Sequence, residues 1–217
     1  MILKLYPNIL YNDRIKAYKY GNYAKVDIVI EVNDIKKGIS VKSGSRNSVH
    51  VENVNSFCNF LIQNNFKHLK DLKEYLYSDG SFDNSGKLRM SCSEYKEKNS
   101  FKISQINQEF NNKELISLCI DRFLVKADVN YGVTTSMILY GTPCDFMFVL
   151  IEDLKKYFLT VNLESSGVHV ISFFIQLWNK NLNYNPKYEY CRNYVQVKWY
   201  SLFDDLMKIY NENNYIL

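Results

Sequence analysis

The stretch AKVDIVIEVNDIKKGISVKSGSRNSVHVEN, from Ala24 to Asn53, decides the fold that this sequence predicts. Apolar residues alternate with other side chains in KVDIVIEV, and this period of two is typical of a β-strand. The segment NDIKKG then supplies turn-forming residues, and ISVKSG resumes an apolar strand. The sequence therefore predicts a β-hairpin early in the chain.

The hairpin gathers polar side chains at its open end. Residues two apart in a strand share a face, so Ser40 and Lys42 are expected to point together while Val41 points into the core. Asp27 lies thirteen positions before Ser40, a separation that fits two short strands and a turn. We therefore expect a carboxylate, a hydroxyl or carbonyl oxygen and an amine to converge there.

This combination of groups suits the cleavage of a phosphodiester bond. A divalent cation such as Mg²⁺ or Mn²⁺ prefers oxygen ligands and takes few of them from the protein. Asp27 would supply the charged metal ligand, and Ser40 or the main-chain carbonyl of Val41 a neutral one. Lys42 would stabilise the charge that builds on the phosphate or lower the pKa of the attacking water.

The remainder of the chain predicts further helices and strands. Helical spacing begins near Val54 and continues through KHLKDLKEYLYS, a polar loop follows in DGSFDNSGKLRMS, and two helices occupy residues 92–127. GVTTSMILYGTP predicts a strand, FMFVLIEDLKKYFLTV a strand or helix start leading into a helix, and VHVISFFIQLWN and YVQVKWYSL two late strands. We expect a mixed α/β (α+β) fold, with a central mixed β-sheet flanked by helices, in a single domain over residues 1–217.

Composition and charge limit the class of protein. The net charge of +4 permits nucleic-acid binding without requiring it, and the arginines are few. The five cysteines form no C-x-x-C pair, which favours reduced and mostly buried thiols. The sequence has no apolar run of membrane-spanning length and no signal-peptide pattern, so we expect a cytoplasmic protein without membrane contacts.

The pattern of Asp27 followed by Ser40-Val41-Lys42-Ser43-Gly44 resembles the core of the PD-(D/E)XK nuclease superfamily. Two departures stand out: Lys25-Val26 replaces the proline before the aspartate, and Ser40 replaces the acidic residue two places before the lysine. Three further segments, KSGSRNSVHVENVNSFCNFL, SDGSFDNSGKLRMS and IQLWNKNLNYNPKYEYCRNYVQVKW, look like parts of uncharacterised restriction-endonuclease-like proteins.

The resemblance implies a restriction-endonuclease-like fold and a Mg²⁺-dependent, sequence-specific DNA endonuclease. Some enzymes of the superfamily that lack the second acidic residue recruit a carboxylate from elsewhere. Glu52 is the first candidate for this role as a catalytic helper and metal ligand, with Asp13 and Glu31 behind it. Double-stranded DNA is the expected partner, bound by a monomer or a homodimer.

Several segments are candidates for DNA contact. The Ser43–Ser48 loop offers main-chain N–H groups to a phosphate, and late in the chain cations alternate with tyrosines and amides that can read base edges. The DNA-binding candidates are Arg46, Asn47, Ser48, His50, Arg89, Lys180, Lys187, Arg192, Gln196 and Lys198.

Ordinary explanations exist for each candidate. Asp27 fits a surface residue, Lys42 an edge-strand lysine that prevents aggregation, His50 a core histidine, and Glu52 a charge favoured by a helix N-terminus. The late tyrosines fit simple packing, and Gln196 and Lys198 a solvated strand face. Two other functions therefore stay open, a catalytically inactive restriction-like domain that binds nucleic acid and a structural accessory protein.

Overall fold

A computed structural model describes residues 1–21, 25–83, 85–126, 132–162, 165–178 and 186–213. Within these residues the chain forms nine strands and eight α-helices. The strands are β1 (Ile15–Lys19), β2 (Ile28–Val32), β3 (Ile35–Lys42), β4 (Ser48–Asn53), β5 (Thr135–Thr142), β6 (Asp145–Leu150), β7 (His169–Val170), β8 (Phe173–Leu177) and β9 (Tyr194–Trp199). The helices are α1 (Ile2–Leu5), α2 (Val54–Gln63), α3 (Leu69–Leu76), α4 (Cys92–Lys98), α5 (Ser100–Phe110), α6 (Lys113–Ile120), α7 (Ile151–Phe158) and α8 (Leu202–Glu212), with a π-helical turn at Asp121–Lys126 and a 3₁₀-helix at Pro186–Asn193.

The chain divides into two compact units that alternate along the sequence. The first unit comprises Met1–Asn47, Ser117–Val161 and Ser201–Leu217, and the second comprises Ser48–Ile116 and Asn162–Tyr200. Each unit contains one of the two β-sheets. Because each unit is assembled from separated segments, no single point in the sequence divides one unit from the other. A single domain over residues 1–217 stays a prediction.

The sheet of the first unit has the strand order β1-β2-β3-β5-β6. Strands β3 and β5 pair in parallel, and the other neighbours are antiparallel, so the sheet is mixed. Asn33 and Asp34 form the two-residue turn between β2 and β3 with φ values of 48° and 67°, the left-handed conformation that tight hairpin turns require. The predicted hairpin is confirmed, and β3 lies in the interior of the sheet.

Two helices of the first unit pack on its sheet. The residues Ile151, Leu154 and Phe158 of α7 are buried at helical spacing, and α7 contacts β5 and β6. Helix α8 buries Leu206 and Ile209 and packs against β6 and α7. The apolar stripes of these helices account for their place on the sheet.

The second unit is built on a four-stranded antiparallel sheet in the order β4-β9-β8-β7. One face of this sheet is fully buried and carries residues such as Val195, Val197 and Trp199. Helix α2 packs against β4 and β9 through a buried stripe that includes Phe57, Cys58 and Leu61. Asn53 caps this helix by accepting a hydrogen bond from the N–H of Asn55 at 2.8 Å.

The predicted mixed α/β class is confirmed, with differences in the elements. Two sheets replace the one expected, because β4 and the late strands pair with each other rather than with the hairpin. Strands β1 and β4 and helix α8 were not predicted, and the two helices expected over residues 92–127 are three α-helices and a π-helical turn. Three of the five cysteines are buried, as expected: Cys58, Cys119 and Cys191. Over the described ranges, no helix combines the length and the apolar character needed to cross a membrane.

Candidate functional site

Asp27 lies at the open end of the hairpin, one residue before β2, and its carboxylate reaches Ser40 and Val41 of β3. Ile28 pairs with Ile39, and the N–H of Asp27 also donates to the carbonyl oxygen of Ile39, at 2.9 Å, so the hydrogen bonding departs from the regular register at Asp27. Ser40 and Lys42 are two residues apart in β3 and therefore share a face of the sheet. The hairpin therefore brings the Asp27 carboxylate to the end of β3 where Ser40 and Lys42 lie.

Two hydrogen bonds fix the Asp27 carboxylate. The main-chain N–H of Val41 donates to Oδ2 of Asp27 at 2.6 Å, and the hydroxyl of Ser40 donates to the same oxygen at 3.4 Å. Ser40 is buried, whereas Asp27 is exposed. The carboxylate is thus held by the strand end while it faces solvent.

Val41 differs from its predicted position. Its side chain is half-buried rather than part of the core. The N–H and C=O of one strand residue point towards the same neighbouring strand, so the carbonyl of Val41 lies on the side from which Asp27 approaches. This arrangement suits the predicted role of that carbonyl as a neutral oxygen donor.

Lys42 is a half-buried cation next to this carboxylate. Burial lowers the pKa of Lys42, because it disfavours the charged ammonium, and the negative charge of Asp27 partly opposes this effect. Among the residues that the structure describes, Lys42 makes no hydrogen bond or ion pair. Since β3 is an interior strand, the edge-strand explanation of Lys42 is wrong.

Glu52 does not lie in an exposed position before a helix. It belongs to β4 in the second unit, where its carboxylate is fully buried and lies 2.8 Å from Nε2 of His50. The two residues share the core face of the sheet because they stand opposite Val195 and Val197. This pairing satisfies the carboxylate inside the second unit, and it gives no support to Glu52 as a metal ligand. It also corrects the assignment of His50 to DNA contact, since the imidazole is buried.

The two reserve candidates for a second carboxylate lie towards the other end of the hairpin. Asp13 accepts hydrogen bonds from the N–H of Leu10 and from the amide of the turn residue Asn33, both at 2.7 Å. Glu31 lies in ion pairs with Lys16 at 3.3 Å and Lys36 at 3.8 Å. Neither carboxylate contacts the Asp27 cluster.

The donor set at Asp27 fits a hard divalent cation that keeps several water ligands. It offers one charged carboxylate and neutral oxygens from Ser40 and Val41, which is the kind of incomplete protein shell that Mg²⁺ accepts. No group of three or more His, Cys, Asp or Glu side chains suited to a metal occurs in the described residues.

The loop after β3 presents main-chain groups and a cation to solvent. Residues 43–46 are exposed, and Gly44 adopts a φ of 63° that favours glycine. The hydroxyl of Tyr140, from the paired strand β5, donates to the carbonyl of Gly44 at 2.8 Å. Arg46 is exposed and Asn47 half-buried, so both candidate DNA contacts are accessible.

Two arginines assigned to DNA contact have structural partners. Nη1 of Arg89 donates to Ser81 and to the carbonyl of Phe82 within its own loop, at 2.9 and 2.8 Å. The largely buried Arg192 lies 3.1 Å from the buried carboxylate of Asp79. The contact with Asp79 corrects the assignment of Arg192, whose charge is paired inside the second unit, whereas Arg89 is half-buried and its assignment stays a prediction. Lys187 is exposed, and Lys180 lies outside the described residues.

Three other candidates come together on the second sheet. Gln196 is buried, which gives no support to its assignment to DNA contact, and its amide donates to the hydroxyl of Ser48 at 3.2 Å. Lys198 is paired with Ser48 in the register of β9 and β4. Residues of β8 that the sequence analysis did not single out, Phe174 and Gln176, share this face. The sequence signal for this face is the alternation of Tyr194, Gln196, Lys198 and Tyr200 in YVQVKWY.

Comparison with known proteins adds no further identification. The chain matches no protein-family model, and no curated protein is significantly similar to it.

Proposed function

We propose that this protein is a Mg²⁺- or Mn²⁺-dependent endonuclease that hydrolyses DNA at the Asp27 cluster. The observation that supports the proposal most is the convergence of Asp27, Ser40 and Lys42 at the end of the hairpin. A half-buried lysine with a lowered pKa next to a fixed carboxylate is a costly arrangement that is frequent at catalytic sites. We place this activity in the cytoplasm, with duplex DNA as substrate and a monomer or homodimer as the active species.

Each residue has a defined task in this proposal. Asp27, oriented by the N–H of Val41, would hold the cation together with the oxygens of Ser40 and Val41. A bound divalent ion supplies Lewis-acid stabilisation of the phosphate and a more acidic water. The protonated amine of Lys42 would donate to a non-bridging phosphate oxygen and stabilise the charge that develops there.

The test compares two lysines of the same strand. Plasmid DNA is incubated with Mg²⁺ or Mn²⁺ and with the wild type, Lys42→Ala or Lys36→Ala, with chelator as a further control. Lys36 also belongs to β3, but it lies near Glu31, away from Asp27. We expect the wild type and Lys36→Ala to cut, and Lys42→Ala to lose about 100-fold or more in rate. Cutting by Lys42→Ala at the wild-type rate would refute the assignment.

A second candidate function is nucleic-acid binding without hydrolysis. The observation that favours it is the serine at position 40, where the resembling nucleases carry an acidic residue, together with the engagement of Asp13, Glu31 and Glu52 elsewhere. Under this alternative the wild type cuts nothing, yet it retards DNA in a gel and releases it as salt increases. Absence of both cutting and binding would instead favour a structural accessory protein.

A further inference from the structure

The antiparallel sheet of the second unit has one buried face and one partly exposed face. Strand β9 alternates between them: Val195, Val197 and Trp199 are buried in the core, whereas Tyr194 and Lys198 are accessible. Opposed residues place Phe174 and Gln176 of β8 on the accessible side, next to Lys198 and Gln196. We call this side, from Tyr194 to Tyr200, the open face.

Aromatic rings form one end of the open face. The ring of Trp178, which follows β8, lies edge-to-face with Tyr194 at 5.9 Å and with Tyr190 at 6.0 Å between centroids. Tyr190 and Tyr194 are exposed, and Trp178 is half-buried. The two tyrosines pack perpendicular to the indole and offer exposed ring surface to solvent.

A second aromatic pair forms the other end. Phe174 and Tyr200 lie 5.2 Å apart at 69°, and Nζ of Lys198 lies 5.8 Å from the centre of the Tyr200 ring. Tyr200 is 56% exposed. A cation next to an exposed ring can neutralise a phosphate while the ring stacks on the attached base.

Amide groups connect the two ends. Gln176 donates to Gln196 at 3.3 Å, and Gln196 donates to the hydroxyl of Ser48 at 3.2 Å. Gln196 is buried, so these bonds position the half-buried amide of Gln176, whose remaining donor and acceptor can bind the hydrogen-bonding edge of a base. Tyr194 and Tyr200 are six residues apart, about 20 Å at strand rise, which suits two or three stacked bases.

The charge of the open face suits a polyanion. Among the described residues that strand alternation places there, none is aspartate or glutamate. Lys198 makes no ion pair within the described part of the chain. A duplex keeps its base faces stacked inside, so only an unpaired strand can use the exposed rings.

We infer that the open face binds single-stranded nucleic acid, with bases stacked on its aromatic ends and phosphates near Lys198. The inference goes beyond the proposed nuclease, because all of these residues belong to the second unit and the binding requires no hydrolysis at Asp27.

The test measures the affinity of the full chain for labelled 12-nucleotide strands by fluorescence anisotropy in chelator, so that no cleavage occurs. The probes are a DNA strand of mixed sequence, the RNA strand of the same sequence and the corresponding DNA duplex. The variants are Tyr194→Ala and Tyr200→Ala, with Tyr18→Ala as matched control, since Tyr18 is 38% exposed on a strand of the first unit and Tyr194 is 37% exposed. Circular dichroism establishes that each variant is folded.

We expect an unpaired strand, of DNA or of RNA, to bind more tightly than the duplex. Each open-face variant should weaken that binding roughly tenfold, the effect of losing one stacked base, while Tyr18→Ala leaves it unchanged. Lys198→Gln should reduce the slope of log affinity against log salt by about 0.7. Preference for one sugar over the other identifies the strand as DNA or RNA.

Tryptophan emission gives an independent readout. Trp178 lies on the open face, whereas Trp199 is fully buried on the opposite face. We expect the unpaired strand to quench emission in the wild type and in Tyr18→Ala but not in Trp178→Phe. Tighter binding of the duplex, or equal single-strand affinity in Tyr194→Ala, Tyr200→Ala and the wild type, would overturn the inference. If Lys42→Ala loses cleavage but not strand binding, the inference is unaffected, because the binding assays are run in chelator and require no cleavage.

Discussion

The ammonium group of Lys42 is half-buried, and its pKa is lowered by this burial. If the charged form acts on the phosphate, cleavage decreases as the pH rises through this lowered pKa, below the range usual for lysine. Lys42→Arg keeps its charge at high pH, so its residual activity should extend further into the alkaline range. Initial rates from pH 6 to pH 10 measure both profiles. Parallel profiles for the two proteins would exclude Lys42 as the titrating group.

The same burial predicts an effect of Lys42 on stability. A lysine pKa that is lower in the folded than in the unfolded chain means that the unfolded chain binds more protons between the two values. The free-energy cost of burying the charged ammonium is therefore present in full below the folded pKa. It is relieved as the pH rises from the folded pKa towards the unfolded value. We expect Lys42→Met, which keeps the side-chain length without the charge, to melt at pH 7 no lower than the wild type while it loses cleavage. A clear decrease in its melting temperature would contradict this account.

Glu52 and His50 provide a contrasting pair, since both are buried and face each other. Removing one partner takes this 2.8 Å contact away from the other buried group, which costs about 3 kcal/mol. For a chain of this size, Glu52→Ala should then lower the melting temperature by about 6 °C or more. Glu52→Gln keeps an acceptor for His50, so it should lower the melting temperature by less than Glu52→Ala.

Cleavage by the same variants separates a structural from a catalytic Glu52. Measured well below their melting temperatures, Glu52→Ala and Glu52→Gln should cut close to the wild-type rate, because the carboxylate is engaged inside the second unit. A folded Glu52→Gln variant without activity would restore Glu52 as the missing metal ligand.

At the scale of elements, the β2–β3 hairpin depends on its turn. Asp34 has a φ of 67°, which costs energy for any residue with a Cβ atom and little for glycine. Asp34→Gly also creates the Asn-Gly pair that such turns prefer, so we expect a stabilisation of about 0.5–1 kcal/mol. Urea denaturation followed by circular dichroism measures it. Asp145 is the control, because it is exposed in strand β6 and has no positive φ. Asp145→Gly should destabilise the protein.

At the scale of the whole molecule, the two proposed activities lie in different units. The Asp27 cluster belongs to the first and the open face to the second. We therefore expect Lys42→Ala to lose cleavage yet keep its affinity for single strands in chelator. Plasmid cleavage and anisotropy on one preparation test this directly. Loss of both properties in a variant with a normal circular dichroism spectrum would show that the two activities share one site.

Prediction from the sequence works where the determining interactions are local. The hairpin follows from alternation in β2 and β3 and from the turn residues between them, and it brings Asp27 within hydrogen-bonding distance of Ser40 and Val41. Prediction fails at β4, whose partner β9 lies far along the chain: Asn53 pairs with Tyr194. A segment of six residues carries no local signal that identifies so distant a partner, and the same holds for the buried pairing of Arg192 with Asp79.

The sequence by itself determined the mixed α/β class, the shared face of Ser40 and Lys42 and the approach of Asp27 to this strand end, because a period of two and a two-residue turn are local properties. Only the tertiary structure decided which side of β4 faces solvent. A β-bulge between Ser48 and His50 shifts the register, so these residues, which simple alternation places together, stand opposite Lys198 on the open face and Val197 in the core. Burial then removed His50 and Glu52 from the candidate DNA and metal contacts, since sheet register, rather than residue type, sets what a side chain can reach.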